Sequence, residues 1–321
     1  MKIVVVGGSG FIGTRLVSRL LQLGHRVAIY DLASSTVHPE CTILGDVRDR
    51  TTLTRALAGA DCVINLAAEH RDDVRPESRY FDVNVNGAEN LVAAAAENAV
   101  TRIVFTSTAA VYGFDQPDAD ESARIAPANA YARSKAQAED VYRRWCAADA
   151  ARSLLIVRPC VVFGEGNRGN VHHLAEQIRR GGLLMIGDGT NRKSIAYVGN
   201  LVDFLCVQLD VQPGLHLYNY ADKPDKSMAE LVATLGRLTA RGVPRFALPY
   251  WLALAIGSTC DVIAKVLRKP LLVSRVRVRK FCADTRIAVT ALERSGYRAP
   301  NTIDEGLARM IAAMPQKKPR R

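Results

Sequence analysis

The sequence predicts an α/β fold, a doubly wound parallel sheet with a smaller C-terminal region. Two patterns carry that expectation. In the first half, short β-branched runs alternate with segments of helical period, which implies parallel strands covered by helices on both faces. The first run is broken by a glycine-rich turn that opens directly into a helical pattern. Composition fits: 321 residues, 48% of them hydrophobic, supply ample material for a large core.

In chain order, strands are expected at Ile3–Val6, Arg26–Tyr30, Thr42–Leu44, Cys62–Leu66, Arg102–Thr106 and Leu154–Val157. Helices are expected at Thr14–Leu23, Thr51–Ala58, Val85–Asn98 and Ala130–Ala147. The opening Met1–Val6 is too short, and too soon broken by glycine, for a signal peptide, and reads as a buried strand. From Gly164 the pattern loosens, with glycines at 181, 182, 187 and 189. No repeat or low-complexity linker intervenes, so a dinucleotide domain over 1–163 and an interleaved substrate-binding region over 164–321 are expected.

Seven cysteines are scattered without a CxxC pair or a His/Cys cluster. That excludes a disulfide framework and a metal site, and points to the reducing cytoplasm. The net charge is +11, with excess at Arg268, Lys269, Arg275, Arg277, Arg279, Lys280 and the tail Lys317, Lys318, Arg320 and Arg321. No basic motif interleaved with aromatics favours nucleic acid. Anionic lipid and a diphosphate substrate fit better, with a merely solvated basic face as the alternative.

Gly7-Gly8-Ser9-Gly10-Phe11-Ile12-Gly13 follows the first strand and opens a helix. Gly7 permits the tight turn, Gly10 lets backbone approach a pyrophosphate, and Gly13 lets helix pack on strand. Asp31 ends the second strand, where a carboxylate accepts from ribose hydroxyls and repels a 2′-phosphate. The expected cofactor is therefore NAD in a Rossmann-type site. Asp46-Val47 ends the next strand, placed to hold the adenine amino group.

Tyr131 and Lys135 stand four residues apart, one turn on one helical face. A free phenol titrates near ~10, and a neighbouring ammonium favours its phenolate, which makes it usable as a base. The run Phe105–Thr108 can deliver a hydroxyl, Thr108, to the same place.

With these residues placed, the chain resembles the extended short-chain dehydrogenase/reductase family, in its NAD-dependent epimerase/dehydratase branch. The matching pieces are Gly7–Gly13, Asp31, Gly45–Val47, Asn65-Leu66-Ala67-Ala68, Asn84, Thr106–Gly113, Tyr131–Lys135 and Arg158-Pro159. The resemblance implies that Tyr131 is the acid/base, that Lys135 binds the nicotinamide ribose, and that Thr108 bonds the reacting sugar hydroxyl. It also implies that Leu66, Ala67, Ala68 and Pro159 line the cofactor. Dehydratases of the branch carry Asp-Glu after the threonine, and related decarboxylases carry Glu where Ala110 stands. Here the two positions are Ala109 and Ala110, which leaves epimerisation or ketone reduction.

A closer resemblance lies in Leu66–Val74, Asn167–Val171, Lys193–Asn200, Leu217–Pro224 and Val276–Cys282. These are similar to bacterial enzymes that epimerise C4 of N-acetylglucosamine on undecaprenyl diphosphate during O-antigen synthesis; close relatives act on UDP-N-acetylhexosamines. That resemblance implies a sugar-diphosphate substrate, lipid-linked or UDP-linked, and a 4-keto intermediate. Arg168, Asn170 and Lys193 are the candidate diphosphate anchors, with Glu69, His70 and Asn84 toward the sugar. Many enzymes of the branch have Asn where Val161 stands, and its loss favours a carrier other than UDP. Finally, Phe246–Val273 is largely apolar, with helical period interrupted at Pro249 and Gly257 and charges at Asp261 and Lys265. It is too broken to span a bilayer, which needs about 20 apolar residues. It fits either a segment lying on the inner face of the membrane or a helix packed in the core or a dimer interface, a homodimer being expected.

Overall fold

In the computed structural model, all residues are described except 72, 73, 115, 243–245, 268–273 and 316–321, together with the side chains of 265–267. Asp72, Asp73, Arg268, Lys269 and the tail 317–321 thus lie outside the described residues. The chain forms two compact units. The first comprises 1–162, 196–221 and 287–301; the second comprises 163–195, 222–286 and 302–321.

The first unit starts with β1 (Lys2–Val6), α1 (Phe11–Gln22), β2 (Arg26–Asp31), β3 (Thr42–Leu44), α2 (Arg50–Ala56) and β4 (Cys62–Asn65). It continues with α3 (Ser78–Phe81), α4 (Gly87–Glu97), β5 (Arg102–Thr106), α5 (Ala130–Ala147) and β6 (Ser153–Pro159). The segment β7 (Val161–Phe163) leads out of it, and α7 (Val198–Val207), β10 (Gly214–Tyr220) and α11 (Thr290–Arg294) return to it. Its sheet has seven strands in the order β10-β6-β5-β4-β1-β2-β3, every pair parallel. Both faces are covered: α1 packs on α7, and α4 packs on α2 and α5. That explains why β1, β4 and β6 read as continuous apolar runs instead of alternating ones, since Ile3–Val6, Val63, Ile64 and Leu154–Val157 are all fully buried.

The sequence division at 163 is crossed again because β6 would otherwise be an edge. Residues 214–220 supply the missing partner, with Tyr218 opposite Val157 and Tyr220 opposite Pro159. The order reverses around β1, which lies between β4 and β2. In such sheets ligands gather outside the carboxyl ends of the strands at that reversal.

The second unit holds α6 (Asn170–Arg179), β8 (Met185–Ile186), β9 (Arg192–Tyr197), β11 (Asp222–Ser227) and α8 (Met228–Leu238). Then come β12 (Ala247–Leu248), α9 (Tyr250–Leu267), α10 (Arg275–Cys282) and α12 (Ile303–Ala312). Antiparallel β9 and β11 pair, as do parallel β8 and β12. Helix α8 packs on α6 and α12, each of α8 and α12 starting in a capping box, Ser227 with Glu230 and Thr302 with Glu305. Helix α9 runs through Gly257 without a break. A Cβ there would stand 2.8 Å from the Arg275 backbone nitrogen, so the glycine serves the close approach of α10 instead of ending the helix.

Candidate active site

Every group from the Gly7 turn to Pro159 belongs to the first unit. Gly7 takes a left-handed conformation, φ +79°, and a Cβ would meet the Ala67 nitrogen at 2.6 Å. At Gly13 a Cβ would meet the Gly7 carbonyl oxygen and Gly8 Cα at 2.6 Å. The turn and α1 are therefore in backbone contact. Gly10 caps α1 without a side chain, so the first N–H groups of a twelve-residue helix, starting at Phe11 and Ile12, stay available to an anion. The carboxylate of Asp31, at the end of β2, accepts from the Ser9 N–H at 3.0 Å and ties the turn to the neighbouring strand. These features fit a dinucleotide whose pyrophosphate rests on the helix N-terminus and whose ribose meets Asp31.

Asp46 is held by Arg48, whose Nε lies 3.0 Å from both carboxylate oxygens. That guanidinium holds the carboxyl below its ordinary range despite partial burial. Val47 is packed under Gly87, where a Cβ would come within 2.9 Å of Val47 Cγ2. After β4, the Leu66 N–H donates to the Val6 carbonyl and the Ala67 N–H to the Asn65 side chain, so Leu66, Ala67 and Ala68 run beside the Gly7 turn.

Thr108 lies two residues beyond the end of β5 and caps the short turn Ala109–Tyr112, its hydroxyl accepting from the Ala110 N–H at 3.2 Å. Asn129 caps α5 by accepting from the Ala132 N–H, which fixes Tyr131 in the first turn. The Tyr131 ring stands 6.4 Å from that of Tyr80 and lines a cleft of about 150 Å³ with Val74, Arg75, Glu77, Asn129 and Ala130. Lys135 is 2% exposed, and its ammonium lies over the Phe105 ring, 4.1 Å from the centroid. Burial depresses its pKa to about 7, against an upward pull from Glu139.

Glu69 is buried and paired with Arg79 at 3.0 Å and Arg71 at 3.4 Å. Its backbone is clamped by Asn84, which accepts from the Glu69 N–H and donates to its carbonyl and to Ser134 Oγ on α5. Asn84 sits in a π-helical turn, Asp82–Asn86, that re-aims the side chain inward. His70 is exposed, with Nδ1 3.3 Å from the Ala68 carbonyl. Pro159 ends β6 in the buried sheet.

In the second unit, Arg168 and Asn170 are exposed at the start of α6. The Lys193 ammonium instead donates to the carbonyls of Lys280 and Ala283 at the end of α10. Desolvation lowers its pKa to about 8. A lysine on helix C-terminal carbonyls is a structural tie, and the sequence offered no sign of it. Sequence reading also missed Glu139, Ser107, Tyr112 and Asn219, which form a buried polar network with Arg158. The available sign was Glu139 one turn beyond Lys135 on the same apolar face.

Residues 3–220 match the model of the NAD dependent epimerase/dehydratase family. The chain is 46% identical over 312 residues to the N-acetyl-alpha-D-glucosaminyl-diphospho-ditrans,octacis-undecaprenol 4-epimerase of Escherichia coli O157:H7, covering 97% of this chain and 94% of that one. It is 31% identical to the 2-alkyl-3-oxoalkanoate reductase of Stenotrophomonas maltophilia, across 98% and 99% of the two chains. Among solved structures it is similar to MoeE5 in complex with UDP-glucose and NAD, with TM-score 0.75, 25% identity and 98% of each chain covered. The glycine turn, the buried Lys135 and these matches together place the chain in the NAD-dependent epimerase/dehydratase family.

Proposed function

We propose that the protein is an NAD-dependent 4-epimerase that interconverts N-acetylglucosamine and N-acetylgalactosamine while the sugar is carried on undecaprenyl diphosphate. The observation that carries this reading is the pair of alanines that follows Thr108, where dehydration would need carboxylates. Tyr131 stands one turn from Lys135 with Thr108 at the strand end, and Ala109 and Ala110 put no carboxylate beside it. One acid/base suffices to oxidise and reduce one carbon; eliminating water needs a second.

NAD, when bound, supplies the acceptor and later the donor of one hydride. Tyr131 takes the proton of the sugar 4-hydroxyl as the C4 hydrogen leaves with its electron pair, and Thr108 orients that hydroxyl. The 4-keto sugar turns about its diphosphate linkage. Hydride returns to the opposite face, Tyr131 gives the proton back to the carbonyl oxygen, and C4 is inverted with no net redox change. Lys135, one turn further along α5, supplies the positive charge that favours the phenolate. Arg168 and Asn170 are the exposed candidates for gripping the diphosphate, whereas the Lys193 ammonium is already engaged.

The lipid carrier draws further support from the second unit. Phe246 and Trp251 are 81% and 70% exposed, and Val262 and Val276 are also largely exposed, with Arg275, Arg277, Arg279 and Lys280 on the surface of α10. Exposed apolar side chains flanked by cations suit an anionic membrane surface. Among the described residues, no helix is long and apolar enough to cross a membrane.

The test offers purified protein UDP-N-acetylglucosamine and its undecaprenyl-diphosphate counterpart, with NAD but no NADH. The galacto product is expected from the lipid-linked sugar. Conversion of only the soluble sugar would overturn the carrier, and a requirement for added NADH would make the enzyme a ketone reductase. Tyr131→Phe is expected to lower kcat by roughly 10²–10⁴-fold while NAD still binds.

A further inference from the structure

On the buried side of α5, Glu139 is 2% exposed, one turn beyond Lys135. One of its carboxylate oxygens accepts from Ser107 Oγ at 2.5 Å and from Arg158 Nε at 2.9 Å. The other accepts from Arg158 Nη2 at 2.6 Å and has Arg143 at 3.5 Å. Arg158 also donates to the Tyr112 hydroxyl at 2.7 Å, and Tyr112 donates on to Asn219 at 2.7 Å. Asn219 in turn donates to the carbonyls of Ala119 and Ala288.

A buried ion pair is a poor way to stabilise a core, since apolar residues of equal volume serve as well. This one touches every element that carries the reacting groups. Ser107 directly precedes Thr108, Glu139 shares α5 with Tyr131 and Lys135, and Arg158 directly precedes Pro159. We propose that Glu139 and Arg158 are positioning residues of the reaction, holding Thr108 against Tyr131 and Lys135 and setting the charge that the Lys135 ammonium meets. The proposal rests on the reading of Tyr131 and Lys135 as the reacting pair.

Around Lys135 the groups able to carry charge are Tyr131, Glu139, Tyr142 and, beyond Glu139, Arg143, all on α5. Among the described residues, Arg158 on β6 and, through it, Tyr112 after β5 connect to Lys135 by way of Glu139, and Phe105 on β5 offers only its ring. Opposite charges in the pair make the test directional. Glu139→Gln leaves Arg158 and Lys135 as like charges, so the ammonium loses its proton at lower pH. Arg158→Gln leaves Glu139 uncompensated, so the ammonium persists to higher pH.

The measurement is kcat against pH for the NAD-loaded enzyme, with melting temperature and NAD affinity as checks on folding. The alkaline limb is expected to move down by about one pH unit in Glu139→Gln and up by a similar amount in Arg158→Gln. Shifts in the same direction, or none in folded protein, would overturn the proposal. Should neither single variant fold, Glu139→Gln/Arg158→Gln decides, because it removes both members of the ion pair together and strands neither of them as an unpaired buried charge. A fall of about tenfold or more in its kcat with KM and NAD affinity unchanged supports positioning, whereas wild-type kcat at every pH refutes it. Tyr131→Phe separates the two layers: if it keeps wild-type kcat, the reaction assignment itself fails, whatever the pair does.

Discussion

Lys135 bears the main electrostatic cost of the site. Its ammonium is buried over an aromatic ring, and desolvation brings its pKa down to about 7 from the ordinary 10.5. The sign of the resulting pH dependence follows from proton counting. Between about 7 and the ordinary value, the unfolded chain holds one more proton than the folded one, so stability from this group rises with pH. Below that window both states are protonated and the folded state bears the full penalty. Lys135→Met is therefore expected to melt above wild type near about pH 6, with the gap closing toward about pH 10. The same variant should lose most of its kcat. Thermal melts across pH, compared with single-turnover rates, check both halves of the expectation.

At the scale of elements, local motifs were legible and distant ones were not. The Gly7–Gly13 turn and the Tyr131–Lys135 pair each lie within a turn or two of chain, so residue types at fixed spacing disclose them. The Glu139–Arg158–Ser107 cluster depends on β5 and β6 lying in register, Thr106 opposite Val157, with α5 packed across β6. Tyr112 meets Asn219 only because β10 joins the sheet far along the chain. The partners of Lys193, carbonyls at the end of α10, were hidden for the same reason. Gly257 was misread because helix breaking is a local tendency, whereas contact with α10 is tertiary. Contact at Gly13 gives a prediction at this scale. Gly13→Ala should destabilise the first unit by about 1–3 kcal/mol, since the new methyl meets backbone that cannot step aside. It should weaken NAD binding as well, and calorimetric titration beside thermal melting checks this.

For the whole molecule, the apolar and basic residues of α9 and α10 give the second unit a surface of distinct character. On the proposed reading it is where the protein meets the bilayer that holds its substrate. Phe246→Ser/Trp251→Ser is expected to reduce cosedimentation with phosphatidylglycerol vesicles several-fold, while turnover of a short-chain, water-soluble diphosphate analogue stays unchanged. Raised salt should weaken vesicle binding of the wild type, because part of the attraction is electrostatic. Equal binding to neutral and anionic vesicles would remove the role given to the α10 cations.

The return of β10 to the first sheet also governs the order in which the protein can be made. A chain emerging from the ribosome lays down β1 to β6 first, yet β6 stays open along one side until Tyr220 has followed. Asn219 must arrive before the Tyr112 hydroxyl finds its acceptor, so the support behind Arg158 forms after β1 to β6 have been made. Helix α5, which carries Tyr131 and Lys135, is thus synthesised well before the residues that lock it, and a nascent chain stopped near residue 163 would display a bare strand edge where the finished enzyme has a neighbour.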